Sequence, residues 1–162
     1  MSGFHRFARI AALGLVGLIT SAAAASAQSV PASEPMDSSR YVFQRVVYQN
    51  SGGYPDDKSY AQRLLRNIGA HVAATDGKVE IRVVSFAAGA KLFLMAEEDA
   101  DLAKGLDALR AKGVKFLICN NTLQGMKLKP TNLYGVTEAD VVPSGVAEIA
   151  RLQGMGFVYI HP

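Results

Sequence analysis

The chain has 162 residues, 49% hydrophobic and 19% charged, with fifteen Gly, one Cys, three His and no Trp. One ordinary domain fits this length, the apolar fraction excludes a wholly disordered chain, and one Cys excludes a disulfide framework, a Cys-based zinc site or an intrachain dithiol centre. The formal charge is +3, but Arg6 and Arg9 account for much of it: beyond residue 27 fifteen bases face fourteen acids. So nearly neutral a body has no electrostatic footprint for a nucleic acid partner.

The first nine residues carry Arg6 and Arg9 and no acid; Ile10 to Thr20 is apolar, and small residues follow to Ala25-Ser26-Ala27. A basic start, a short apolar run and a small-x-small site predict a signal peptide over 1–27, cleaved before Gln28. The apolar run is too short for a span of about 20 residues, so no stable membrane insertion is expected after cleavage, and the mature protein is expected in the periplasm or outside the cell. Residues 28–40 are rich in Ser and Pro and read as a flexible linker.

From residue 41 the chain alternates strand and helix. Tyr41 to Gln49 is β-branched and aromatic, and Asn50-Ser51-Gly52-Gly53 ends it. Tyr60, Leu64, Ile68 and Val72 recur every four residues, predicting an amphipathic helix over 59–74. A second strand runs from Val79 to Ser85, with Gly89 in the loop behind it. Asp99 stands where a helix cap belongs, ahead of Leu102, Leu106 and Leu109 on one face. Gly113 ends that helix and Val114 to Ile118 is a third strand. Asp140 to Val142 is a short fourth strand, Val146 to Gln153 a helix and Phe157 to Ile160 a fifth strand. Apolar strands separated by helices predict an α/β fold: three α/β/α layers around a mostly parallel five-stranded sheet over 41–162.

In such a sheet ligands and chemistry gather beyond the carboxyl ends of the strands. Here those ends read Asn50-Ser51-Gly52-Gly53, Ala87-Ala88-Gly89, Cys119-Asn120-Asn121-Thr122 and Pro143-Ser144-Gly145. Cys119 is the residue to weigh. A helix start at Asn120-Asn121-Thr122, with Lys127 and Lys129 further on, would stabilise a thiolate and lower the pKa below the free value of about 8.5. The same residue also reads as a small buried hydrophobe closing a core strand. Both readings stand at this point. His71 lies near the apolar stripe of its helix and reads as a packed side chain. Ser144, with no G-x-S-x-G elbow around it, suits a helix N-cap. Gly52-Gly53 is too short for a phosphate loop, and neither a cofactor nor a metal is implied.

The segment Gly113-Val114-Lys115-Phe116-Leu117-Ile118-Cys119-Asn120-Asn121-Thr122-Leu123 resembles the DsrE/DsrF-like family of sulfur-relay proteins. So does Val141-Val142-Pro143-Ser144-Gly145-Val146-Ala147-Glu148, followed by Gly156 to Ile160. The resemblance runs over about residues 42–162. It implies a small α/β/α domain that assembles into homo-oligomers, and a Cys that carries sulfur as a persulfide between a donor and an acceptor protein. Cys119 takes that position, with Asn121, Thr122, Gly89 and Ser144 as its binding neighbours. Where relatives with this Cys-x-Asn-Thr pattern carry His-Gly after the second strand, this chain has Phe86-Ala87. Two functions follow as expectations: an exported sulfur carrier or sulfurtransferase working through Cys119, and a non-catalytic oligomeric binding or assembly module in which Cys119 only packs.

Overall fold

Five parallel strands lie side by side in the order β4-β3-β2-β1-β5. They are β1 (Gln44–Asn50), β2 (Val79–Ser85), β3 (Lys115–Cys119), β4 (Val141–Val142) and β5 (Val158–Ile160). The helices are α1 (Asp57–Ala74), α2 (Lys91–Met95), α3 (Ala100–Ala111), α4 (Asn120–Met126) and α5 (Gly145–Gly154). This is a computed structural model that describes residues 36–53 and 56–162, so the expected signal segment lies outside the described residues.

The order of strands follows from one rule about handedness. From β1 through β4 each step moves one place in the same direction across the sheet, and right-handed crossovers then put α1, α2, α3 and α4 on one face. The step from β4 to β5 goes back across all the others, and the same handedness puts α5 on the opposite face. The packing agrees. Leu64 and Ile68 of α1, Phe93 of α2, Leu102 and Leu106 of α3 and Leu123 of α4 share one core with Val46, Val83 and Ile118. Ile149 and Leu152 of α5 pack with Val47, Val84 and Phe157 on the other side. Each such fully buried side chain contributes about 1.5–3 kcal/mol relative to exposure, so the larger core dominates stability.

The α5 face is thinly covered, and here the sequence pattern departs from uniformly apolar strands. Arg45 and Arg82 share Glu80 at 3.0 and 2.6 Å and stand over the Phe157 ring, at 4.2 and 5.9 Å from its centroid. Of these two strands only the middle of β1, Val46-Val47-Tyr48, and the Val83-Val84 stretch of β2 are apolar on both faces. β1 begins at Gln44, after an exposed Tyr41-Val42-Phe43, because no neighbouring strand reaches back that far. In the stretch expected to be linker, Ser38–Arg40 forms a short 3₁₀ turn, held by Asp37 at its start and by Lys78, whose ammonium donates to the Ser38 carbonyl at 3.0 Å. The loop behind β2 contains a helix, α2, that periodicity did not signal, because its run of Leu92 and Phe93 is driven into the core by packing. No helix among the described residues is long and apolar enough to cross a membrane.

Candidate functional site

All five strands being parallel, their carboxyl ends share one edge, and that edge is not uniform. Behind β3 the chain turns to the α4 face; behind β4 it turns to the α5 face. The two exits leave a crevice between β3 and β4, the place where ligands gather in sheets of this kind. Cys119 is the last residue of β3 and pairs in register with Val142 of β4, so it lies at that crevice. It is 5% exposed.

Three loops converge on it. Gly145 begins α5, and a Cβ placed there would stand 3.3 Å from the Cβ of Cys119, so the α5 start lies against the thiol. Asn121 and Thr122 form the first turn of α4, for which Cys119 is the N-cap residue. The third loop, behind β2, reaches in through Ala87, whose main-chain N–H donates to Thr122 Oγ1 at 2.9 Å. That bond occupies an acceptor site of the hydroxyl and leaves its O–H for the sulfur.

Two effects oppose each other at Cys119. Burial pushes its thiol up. The main-chain N–H of Gly145, the N–H and hydroxyl of Thr122, and the N–H of Asn121 pull it down, and on balance the thiol is lowered from its ordinary value. The sulfur makes no formal cap bond; the N–H groups act on it as oriented dipoles, which stabilise the anion far more than the neutral thiol. Neither lysine named from sequence is among the main influences on this thiol. Lys127 is the C-cap of α4, in left-handed conformation at φ 55°, at the far end of the helix.

The other residues singled out from sequence have structural tasks, Ser144 at the start of α5 and Gly89 against Asn50 at the end of β1. Ser144 caps α5, its hydroxyl accepting from the Ala147 N–H at 3.4 Å. Gly89 is buried against Asn50: its carbonyl accepts from Asn50 Nδ2 at 2.9 Å, and a Cβ at 89 would collide with the Asn50 carbonyl. Asn50 is itself buried. It donates also to Ser85 Oγ at 2.9 Å, and its carbonyl accepts from the Phe86 N–H at 3.0 Å. Asn50 thereby holds the β2 loop in place, and with it Ala87 and the Thr122 hydroxyl. Sequence reasoning placed Asn50 and Gly145 in the segments at the strand ends but gave neither a role. A polar residue ending an apolar strand, and a glycine directly after a capping Ser, were the available signals.

His71 lies away from the crevice. Its Nδ1 accepts from the Tyr48 hydroxyl at 2.8 Å, its Nε2 donates to Gln44 Oε1 at 2.7 Å, and burial holds its pKa below 6.5. Asp99 caps α3 and pairs with Lys58 at 2.8 Å. Among the described residues no group of three His, Cys, Asp or Glu side chains is placed to hold a metal ion.

The DsrE/DsrF-like family matches residues 44–162 of the chain. A solved structure of a protein of unknown function from Methanobacterium thermoautotrophicum is 32% identical and superposes with a TM-score of 0.62, covering 74% of this chain and 99% of that one. No curated protein matches the chain.

Proposed function

This chain belongs to the DsrE/DsrF-like family, which is associated with sulfur relay, and from that premise we propose that it is a sulfur carrier whose single thiol, Cys119, holds the cargo as a persulfide. The observation that carries this reading is the cradle of N–H and O–H donors that favours the Cys119 thiolate despite its burial. The thiolate is the form that attacks sulfur. In the loading step it attacks the outer sulfur of a donor persulfide, R–S–SH. A bond forms between Cys119 Sγ and that sulfur, the donor's S–S bond breaks, and RS⁻ leaves; the product is Cys119–S–SH. An acceptor thiolate then attacks the same outer sulfur and releases the Cys119 thiolate. No oxidant is consumed in either step. The Gly145, Asn121 and Thr122 donors stabilise the departing thiolate in the second step as they do the attacking one in the first.

The carrier acts outside the cytoplasm, a location supported by the basic, apolar and small-residue pattern of residues 1–27. It works as a homo-oligomer. Exposed apolar residues concentrate where β1 and β5 begin: Val42, Phe43, Met155, Val158 and Tyr159 lie within one corner of the fold, more than single scattered surface residues would present. Sedimentation velocity tests this part, and a monomer at micromolar concentration refutes it.

The 5% exposure of Cys119 favours the second reading, a binding or assembly module with an inert packed thiol. One experiment separates the two. Incubation with cysteine persulfide, followed by mass spectrometry of the intact chain, gives for a carrier a gain of about 32 Da that dithiothreitol removes and Cys119→Ser lacks. An unmodified wild-type protein refutes the carrier and leaves the module.

A further inference from the structure

The geometry points to Phe86 as the residue that selects what Cys119 reacts with, admitting a terminal, unhindered sulfur and turning away one attached to a bulky group; this rests on the reading of Cys119 as a nucleophilic thiolate. Side chains alternate along β3. Leu117 packs towards the α5 layer, so Cys119, two residues on, faces the same layer. Phe86 packs onto that layer too. Gly145 lies between them. A Cβ built on it would stand 3.0 Å from the Phe86 ring at Cδ1, 3.1 Å from Phe86 Cβ and 3.3 Å from Cys119 Cβ. Ring, glycine and cysteine are therefore in successive contact, with no room for a side chain between them.

The opposite flank of the sulfur is polar, made by the first turn of α4. One loop serves both flanks: Phe86 gives the apolar wall, and Ala87, the next residue, orients the Thr122 hydroxyl through its main-chain N–H. With the Phe86 ring on one side of Gly145 and Cys119 on the other, a group reaching the sulfur past the α5 start has to pass the ring, while the start of α4 lies on the other flank. A thiolate must bring the electrophilic sulfur, with its substituent, into bonding distance opposite the leaving group. A terminal sulfur brings almost nothing with it. A sulfur on a branched carbon brings bulk that meets the Phe86 ring. Selection by the ring differs in kind from activation by the cradle, because the cradle near Phe86 is main chain and survives loss of the ring.

That difference makes a test on the full chain direct. Methyl methanethiosulfonate and its triphenylmethyl counterpart each form a Cys119–S–S–R disulfide and release methanesulfinate, so each step balances without another reagent. Phe86→Ala is expected to accelerate the triphenylmethyl reagent about tenfold or more and the methyl reagent less than about threefold. The pH midpoint of the methyl reaction is expected to stay where it is, and Phe86→Leu to fall between alanine and wild type. Equal acceleration of both reagents, or no acceleration of the bulky one, overturns the proposal; the leucine variant, whose side chain nearly refills the space, guards against mere loosening. Failure of the thiolate reading looks different: the methyl reaction then has a midpoint at or above that of an ordinary thiol in every variant, and the premise falls with it.

Discussion

Gly89→Ala places a methyl group where the Asn50 main chain already is. The new Cβ would collide with the Asn50 carbonyl oxygen and stand 2.5 Å from its carbon and 2.7 Å from Asn50 Oδ1. These are main-chain atoms and a buried side chain tied to Ser85, so neither can swing away. Overpacking of this kind costs about 1–3 kcal/mol. The shift also stretches the 2.9 Å bond from Asn50 Nδ2 to the Gly89 carbonyl; a buried polar group left unpaired adds about 1–3 kcal/mol. Together the loss is about 3 kcal/mol, or roughly 10–15 °C in Tm for a domain of this size. Urea unfolding and calorimetry measure it, and Gly69→Ala is the matched control. Gly69 is inside α1 with open space around its Cα, so alanine there should stabilise by about 0.5–1 kcal/mol. The damage at position 89 should also reach the site, since the displaced loop carries the Ala87 N–H that orients Thr122. The Cys119 alkylation midpoint then moves up in the folded variant. A Gly89→Ala protein within about 0.5 kcal/mol of wild type, with an unchanged midpoint, would refute the idea that the Asn50–Gly89 contact holds the crevice together.

Three further outcomes are expected. Thr122→Val keeps the shape of the side chain but removes the hydroxyl that favours the thiolate, so the alkylation midpoint of Cys119 should rise from its lowered wild-type position; an unchanged midpoint would assign the effect to the main chain alone. Ala87 has φ +48°, a left-handed conformation that costs an L-residue about 1 kcal/mol, so in Ala87→Gly the relief of strain should offset the added unfolded-chain entropy, and a variant more than about 0.5 kcal/mol less stable than wild type in urea titrations would refute the strain. For His71 the sign follows from burial: its folded pKa lies below 6.5, so the unfolded chain takes up the proton first, and stability falls as the pH drops below 6.5. His71→Gln should flatten that part of the stability–pH curve, and a slope identical to wild type would place the titrating group elsewhere.

Local patterns carried most of the fold. The four-residue spacing of Tyr60, Leu64, Ile68 and Val72, the Asp99 cap and the apolar runs Val79 to Ser85 and Val114 to Ile118 are consequences of short-range chemistry, and they reappear as α1, α3, β2 and β3, the last shifted by one residue to end at Cys119. A residue's backbone preference and its neighbours at one turn or one pleat are enough to specify such elements. The position of Cys119 at a strand end was legible for the same reason, because Asn120-Asn121-Thr122 breaks an apolar strand within one residue. Tertiary structure alone decided the rest. The order β4-β3-β2-β1-β5 depends on which strands meet across the sheet, and it is this order that opens a crevice beside Cys119. The donors that act on the thiol come from positions 121, 122 and 145, and the residue that orients Thr122 from position 87. Lys127, near in sequence, stands at the wrong end of a helix, whereas Gly145, far away in sequence, lies against the cysteine. Electrostatic effects on a thiol fall with distance in space, and distance in space across a parallel sheet is set by strand neighbours, not by separation along the chain.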